Sequence, residues 1–316
     1  MTDQTIQTIH SFLQENNSEV SSGGTVKSYS HDTGSGSVLC VVHGWPQSSY
    51  MWRHVIADWK DKISLFVVEL PGYGFSSLPP KHGKRTVGNL IIEALQQVFG
   101  KSRPVTWCGH DRGGRVGHRL IVDNNPAHNI TSAILMDIVP TTEQWKVFSN
   151  PAASAAYYHW PFLAINTAPQ LIEKMGGGEF VRVNLDRAKG GNAAGTAKFK
   201  ENDAVAHYAH QFNNAECIAG SCADYAAGAT EDVAEQEKDQ REGRKVKVPL
   251  MVIYSATNLG RMHDVPKAWG AWVEGGESAV RFEGIPDGFG HYLPEECPER
   301  VTPLVLEWVE KYGKAE

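Results

Sequence analysis

No apolar stretch in this chain is long enough to span a bilayer, which takes about 20 consecutive apolar residues. No membrane partner is expected. Long basic runs are missing too, and the formal net charge is −6. A nucleic-acid footprint would need clustered lysine and arginine, so nucleic-acid binding is excluded as a leading reading. Cysteine is sparse. The five residues Cys40, Cys108, Cys217, Cys222 and Cys297 are odd in number and scattered. They form no CxxC pair, and no clustered His/Cys motif suggests a metal. Reduced thiols in a cytoplasmic protein without a cofactor are the simplest expectation. The stretch Met1–Gly24 is polar and mixed in charge, which reads against a secretory signal.

What is there points to alternating strands and helices. A chain of 316 residues suits one large α/β domain or a core carrying an inserted subdomain. The first two dozen residues read as a helix and a flexible lead. Thr25–Ser30, Ser37–Val42, Ser64–Leu70, Ala133–Val139 and Val246–Tyr254 read as strands, and Leu90–Phe99 is apolar at helical spacing. Strands alternating with helices predict a mostly parallel sheet flanked by helices. From Thr141 to about Arg244 there are helical stretches, aromatics and glycine breaks but no convincing strand. The economical division is a core over 1–140, a helical cap over 141–245, and a resumed core over 246–316 that ends in an amphipathic helix. Glu231–Lys245 is dense in both charge signs and reads as a solvated helix or connector. Gly176–Gly178 and Gly190–Gly195 suggest a loosely built cap.

The most informative residues are Gly109-His110-Asp111-Arg112-Gly113-Gly114. An apolar, β-prone stretch precedes them and a helical one follows. Strand, glycine-flanked turn and helix are the setting of a nucleophile elbow, where a Cβ on the flanking residues would clash. A carboxylate at the turn suits attack on saturated carbon, giving an ester to the enzyme. The competing reading is a helix-capping aspartate in a glycine-rich turn. An acid, Asp137, ends the next strand, and His291 follows near the C-terminus in Gly288-Phe289-Gly290-His291-Tyr292-Leu293-Pro294. Nucleophile, acid and histidine occur in the chain order of α/β hydrolases. His291 would be the general base that activates water, and Asp137 would hold its tautomer. Asp264, after the Val246–Tyr254 strand, is a rival for the acid. His43-Gly44-Trp45-Pro46 follows a strand, so the Trp45 N–H, with that of Arg112, is a candidate oxyanion hole. Arg112 and Arg115 lie three apart at the start of a helix. They are expected to clamp the carboxylate of a small anionic substrate, although either could pair with a structural carboxylate instead.

These motifs resemble the fluoroacetate (haloacetate) dehalogenases of the α/β-hydrolase superfamily. Gly109–Val116 resembles their nucleophile motif with both arginines, Leu135–Thr141 their acid motif, and Gly290–Glu296 the segment carrying the base. Tyr158–Ala164 and Cys222–Tyr225 resemble cap segments whose His, Trp and Tyr bind the departing halide. The resemblance therefore implies an α/β-hydrolase fold with an inserted cap. It also implies halide donors at His159, Trp160 and Tyr225, and a homodimer. Donors of that kind suit fluoride, a poor and strongly solvated leaving group, although aromatic cap packing is the ordinary fate of a Trp and a Tyr. Ala226 departs from the arginine often found after the tyrosine in that family. The expected reaction is hydrolytic dehalogenation of a short 2-haloacid. An epoxide hydrolase of the same architecture would share the nucleophile, acid and base, but needs cap tyrosines as proton donors; Tyr157, Tyr158, Tyr208 and Tyr225 are available. A binding protein that retains the pocket without turnover is the non-enzymatic alternative.

Overall fold

The computed structural model describes residues 4–313. Eight strands form one sheet: β1 (Gln14–Glu19), β2 (Thr25–His31), β3 (Val38–Val42), β4 (Ser64–Val68), β5 (Val105–His110), β6 (Ile130–Met136), β7 (Leu250–Ser255) and β8 (Val280–Ile285). Their order across the sheet is β1-β2-β4-β3-β5-β6-β7-β8. β1 pairs antiparallel with β2, and β2 antiparallel with β4; every later pairing is parallel. β3, β4 and β5 are buried along their whole length. Helices cover both faces of such a sheet, which explains why these strands are continuous apolar runs rather than alternating ones.

The first strand corrects the sequence reading. A short helix occupies Ile6–Ile9, but Gln14–Glu19 is an edge strand where a flexible lead was expected. Its sequence, Gln-Glu-Asn-Asn-Ser-Glu, is polar because only Ser18 is buried. A polar edge strand lacks the hydrophobic alternation that announces a strand, and its charge discourages edge-to-edge pairing. β8 was also not foreseen.

Between β6 and β7 the chain builds only helices, from Thr141 to Arg241. They form a cap over the carboxyl end of the sheet. The helix Glu231–Arg241 is less solvated than its charge density suggests. Asp232 and Asp239 are buried, and bind the Lys84 N–H at 2.8 Å and the Arg119 guanidinium at 2.5 Å. The glycine run at 176–178 is a close-packing device rather than a loose segment: a Cβ on Gly177 would overlap the Phe212 carbonyl. Among the described residues no helix is long and apolar enough to cross a membrane. The closing helix spans Pro298–Tyr312; the end of the stretch expected to be helical, 314–316, lies outside the described residues.

Register decides what the fold delivers. Val42 pairs with Gly109, His110 with Met136, and Met136 with Ile253. The carboxyl ends of β3, β5, β6 and β7 are therefore level. The loops leaving β3, β5 and β6 place Trp45, Asp111 and Asp137, and the end of β7 places Ser255, along one edge of the sheet, the usual binding edge of an open α/β sheet.

Candidate active site

Asp111 stands between β5 and the helix Arg112–Asp123 with φ 46° and ψ −113°. A non-glycine residue held there stores roughly 1–3 kcal/mol of strain, tolerated where the surroundings fix the conformation. The surroundings do so. A Cβ on Gly109 would overlap the Gly113 carbonyl, and one on Gly113 the Val42 carbonyl, so only glycine lets strand and helix close on the turn. Gly44 faces Asp111 in the same way. This close approach lets the Trp45 N–H donate to Oδ1 of Asp111 at 2.9 Å. The Arg112 N–H, the second expected donor, opens the helix directly behind Asp111, but among the described residues the Trp45 N–H is the backbone donor bonded to the Asp111 carboxylate.

His291 approaches from the other side. Its Nε2 is 3.8 Å from Oδ2 of Asp111, and its Nδ1 is 2.6 Å from Oδ2 of Asp137. A carboxylate only accepts, so Nδ1 carries a hydrogen, and Nε2 is the nitrogen that faces Asp111, with a free lone pair whenever the ring is neutral. Asp137 is fixed in turn, with Oδ1 accepting the Ser255 N–H at 2.8 Å. Asp264, the rival acid, is exposed and caps the helix Val265–Gly270, accepting from the Lys267 N–H at 3.2 Å.

Burial opposes charge on His291, but the hydrogen bond and charge of Asp137, with the charge of Asp111, outweigh it and hold the ring above its ordinary value. Asp111 is held below the usual carboxylate range: His291, Arg112 and Arg115 outweigh the burial that disfavours its charge. The pair is thus electrostatically coupled, and neutralising Asp111 removes one of the forces that keep His291 protonated.

The loop carrying His291 is pinned by residues the sequence reading did not single out. His110 Nε2 donates to the His291 carbonyl at 2.7 Å. Glu296 accepts from the N–H groups of Gly190, Gly290 and Tyr292 at 2.9, 2.8 and 3.1 Å, joining the base loop to the cap. Ser255 Oγ donates to the Phe289 carbonyl at 2.6 Å. His110 and Glu296 both lie inside the recognised motifs, so their positions were visible even though their roles were not.

The two arginines expected to hold substrate differ in their protein partners, and Nη1 of Arg112 is left without one. Arg112 is buried with its Nε 2.5 Å from Oδ2 of Asp224 and its Nη2 2.9 Å from the Asp224 carbonyl. Lys84 and the Tyr73 hydroxyl reach the same carboxylate. Arg115 has no carboxylate partner among the described residues. Its Nη1 donates to the Val139 carbonyl at 3.0 Å and to Thr141 Oγ1 at 3.3 Å, while its buried Nε is unpartnered. Burial and the neighbouring Arg112 charge press this guanidinium down to about 10 against the opposing pull of Asp111, so it stays charged at neutral pH with no carboxylate in direct contact.

Arg115 lines a cavity of about 350 Å³ together with Asp111, Asp137, His291, His159 and Trp160. The His159 ring stacks on Trp45, with centroids 5.1 Å apart and planes 11° from parallel. Trp160 covers Arg115 with its ring 4.4 Å from Cζ, and Tyr225 covers Arg112 at 4.2 Å. Tyr225 packs edge-on against the rings of Trp45, Trp160 and His159, with centroids 5.7, 5.5 and 5.9 Å away, and its hydroxyl is pushed up by burial and the Asp111 charge. The structure thus brings the cap aromatics and the core residues together. Among the described residues no cluster of His, Cys, Asp or Glu is arranged to hold a metal ion.

The family model described as the alpha/beta hydrolase fold matches residues 37–296. The chain belongs to the α/β-hydrolase family. It is 30% identical over 281 residues to a fluoroacetate dehalogenase of Burkholderia sp, covering 87% of this chain and 88% of that one. A soluble epoxide hydrolase of Corynebacterium sp. (strain C12) is 27% identical over 285 residues, covering 87% and 91%. Among solved structures, an alpha/beta hydrolase of Nostoc sp PCC 7120 superposes with a TM-score of 0.82 at 27% identity, covering 95% of this chain and 98% of that one. This α/β hydrolase therefore matches, over most of its length, relatives named for two different chemistries, and the choice between them rests on the site.

Proposed function

We propose that this α/β hydrolase removes halide hydrolytically from short 2-haloacids, such as fluoroacetate and chloroacetate, yielding glycolate. One observation carries the choice of substrate: Arg115 is a buried cation with no carboxylate partner, and it lines the same cavity as Asp111. A buried cation without a paired carboxylate is costly, and an anionic substrate would supply that direct partner. With its carboxylate on Arg115, a 2-haloacid presents the halogen-bearing carbon to Asp111.

Oδ1 of Asp111 is held by the Trp45 N–H, which leaves Oδ2 to attack. The new C–O bond forms as the carbon–halogen bond breaks, and the halide leaves with the bonding pair. The carboxylate becomes an ester and Asp111 loses its charge. His291 then loses the pull of that charge, which favours the neutral ring, and the neutral ring accepts a proton from water at Nε2. Hydroxide adds to the ester carbonyl, Oδ1 becomes the oxyanion on the Trp45 N–H, and collapse expels the substrate oxygen, which takes the proton held on His291 to become the 2-hydroxyacid, while Asp111 is restored as a carboxylate with its last proton passing to solvent.

The resemblance to the Burkholderia dehalogenase supports this reading. The epoxide hydrolase reading has support of its own in the Corynebacterium relative and in Tyr157, which lines the cavity. Ring opening needs a second phenolic donor. Tyr208 is occupied by Glu295 at 2.9 Å, which does not favour that chemistry. The deciding experiment follows halide release from fluoroacetate and chloroacetate with an ion-selective electrode, with Asp111→Asn as control. Asp111-dependent release of halide is expected. Release of neither ion, with turnover of a simple epoxide, would transfer the assignment to the second reading.

A further inference from the structure

Arg187 ends the cap helix Gly177–Ala188 at an exposed position, where an arginine is ordinarily solvated. Its guanidinium instead turns inward. One terminal nitrogen donates to the Ala156 carbonyl, and the other lies 2.8 Å from Nδ1 of His159 and 3.4 Å from Oδ1 of Asn184. The Tyr158 ring packs beneath it at 5.3 Å. No carboxylate answers its charge among the described residues.

A guanidinium has no acceptor, so in the 2.8 Å contact it is the donor and Nδ1 of His159 is the acceptor. The ring is then neutral, and its one hydrogen sits on Nε2. Burial, reinforced by the Arg187 charge, holds His159 well below its ordinary value, in keeping with a neutral ring. The ring cannot readily turn over, because it is stacked on Trp45, whose backbone N–H holds Asp111. Both His159 and Arg187 line the cavity that contains Asp111.

We propose that Arg187 is a positioning residue for departure of the leaving group: it locks His159 in the Nε2–H tautomer and makes that ring a hydrogen-bond donor to the halide. The proposal rests on the dehalogenase reading and adds to it a residue that acts through another. As Asp111 Oδ2 bonds to carbon and the carbon–halogen bond breaks, the halide takes the bonding pair and accepts the Nε2–H hydrogen bond. No proton is transferred. Fluoride, the smallest and most strongly hydrogen-bonded halide, depends on this donor most; bromide depends on it least. The same helix end also serves the base, since the carbonyl of Ala188 accepts the His291 N–H at 3.0 Å.

Two measurements on the full-length protein test this. Nitrogen-15 NMR of histidine-labelled protein, with His159 assigned by a His159→Gln variant, reads the tautomer directly and independently of turnover. The wild type should show Nδ1 unprotonated and Nε2 protonated at neutral pH, and Arg187→Met should give a mixture. An Nδ1–H ring or an imidazolium in the wild type would overturn the lock. Turnover of Arg187→Met should then fall about 10²-fold on fluoroacetate, the scale for losing one preorganised donor, and far less on bromoacetate. Arg187→Lys, which keeps a donor, should recover part of the fluoroacetate activity. Equal loss on both substrates would reduce Arg187 to a structural contact. If the wild type released no halide at all, the leaving-group role would fall with the dehalogenase reading, while the NMR result would still decide the tautomer.

Discussion

Nε of Arg112 lies 2.5 Å from Oδ2 of Asp224, so one of the two arginines behind the nucleophile already has its counter-ion. Arg115, three residues on, does not. The two should therefore fail differently. Arg115→Met should cost about 10- to 100-fold in kcat/KM on haloacetates, the range for a hydrogen bond to a charged group, with little change in stability. Arg112→Met leaves Asp224 buried with only Lys84 and the Tyr73 hydroxyl beside it and should lower unfolding free energy by roughly 3–5 kcal/mol in a denaturant titration. Unchanged stability in Arg112→Met, with substrate binding abolished, would contradict the division.

Asp137 and Asp264 are separated as sharply. Asp137 holds Nδ1 of His291 at 2.6 Å, whereas Asp264 only caps a surface helix. Asp137→Asn should reduce turnover by about 10⁴-fold, as expected when a catalytic histidine is given the wrong tautomer. Asp264→Ala should cost about 1 kcal/mol of stability as a lost cap and leave turnover intact. Steady-state rates on chloroacetate for the two variants check this.

The nucleophile, acid and base were legible because each sits at the end of a strand or in a short glycine-bearing turn, where local chemistry fixes position. Pairing across long separations was not legible. Arg112 and Asp224 are 112 residues apart, and Arg187 and His159 are 28 apart on different cap helices. Nothing in the local pattern says which carboxylate reaches which arginine. β1 was hidden for a different reason: its exposed face on both sides leaves no apolar alternation to read. The sheet's parallel core was visible because burial on both faces demands apolar runs.

The pH dependence follows from His291. Its folded value is raised, mainly by Asp137 and Asp111 against the opposing effect of burial, and only the neutral ring can take a proton from water. Turnover should thus be lost as pH falls through a value above the ordinary 6.5 in the free enzyme. Once Asp111 is esterified its contribution disappears. The acid limb of kcat, where ester hydrolysis limits the rate, should sit at lower pH than the free-enzyme titration of His291 followed by NMR. An acid limb of kcat at or above the free-enzyme value would show that Asp111 does not control the base.

Glu295 ties cap to core. Its fully buried carboxylate binds Arg53 and Gln47 and accepts from the Tyr208 hydroxyl at 2.9 Å. Glu295→Leu would strand the buried Arg53 charge and should cost roughly 3–5 kcal/mol. Faster amide exchange in the cap helix Ala204–Gln211, which carries Tyr208, should accompany the loss.

The central claim is that Asp111 forms an ester which His291 then hydrolyses. The most direct test is to incubate His291→Gln with chloroacetate, measure chloride, and locate any adduct by mass spectrometry of the digested protein. The account predicts a single burst of chloride, stoichiometric with protein, and a carboxymethyl group on the peptide containing Asp111. Sustained turnover without an adduct, or an adduct on any other residue, would contradict it.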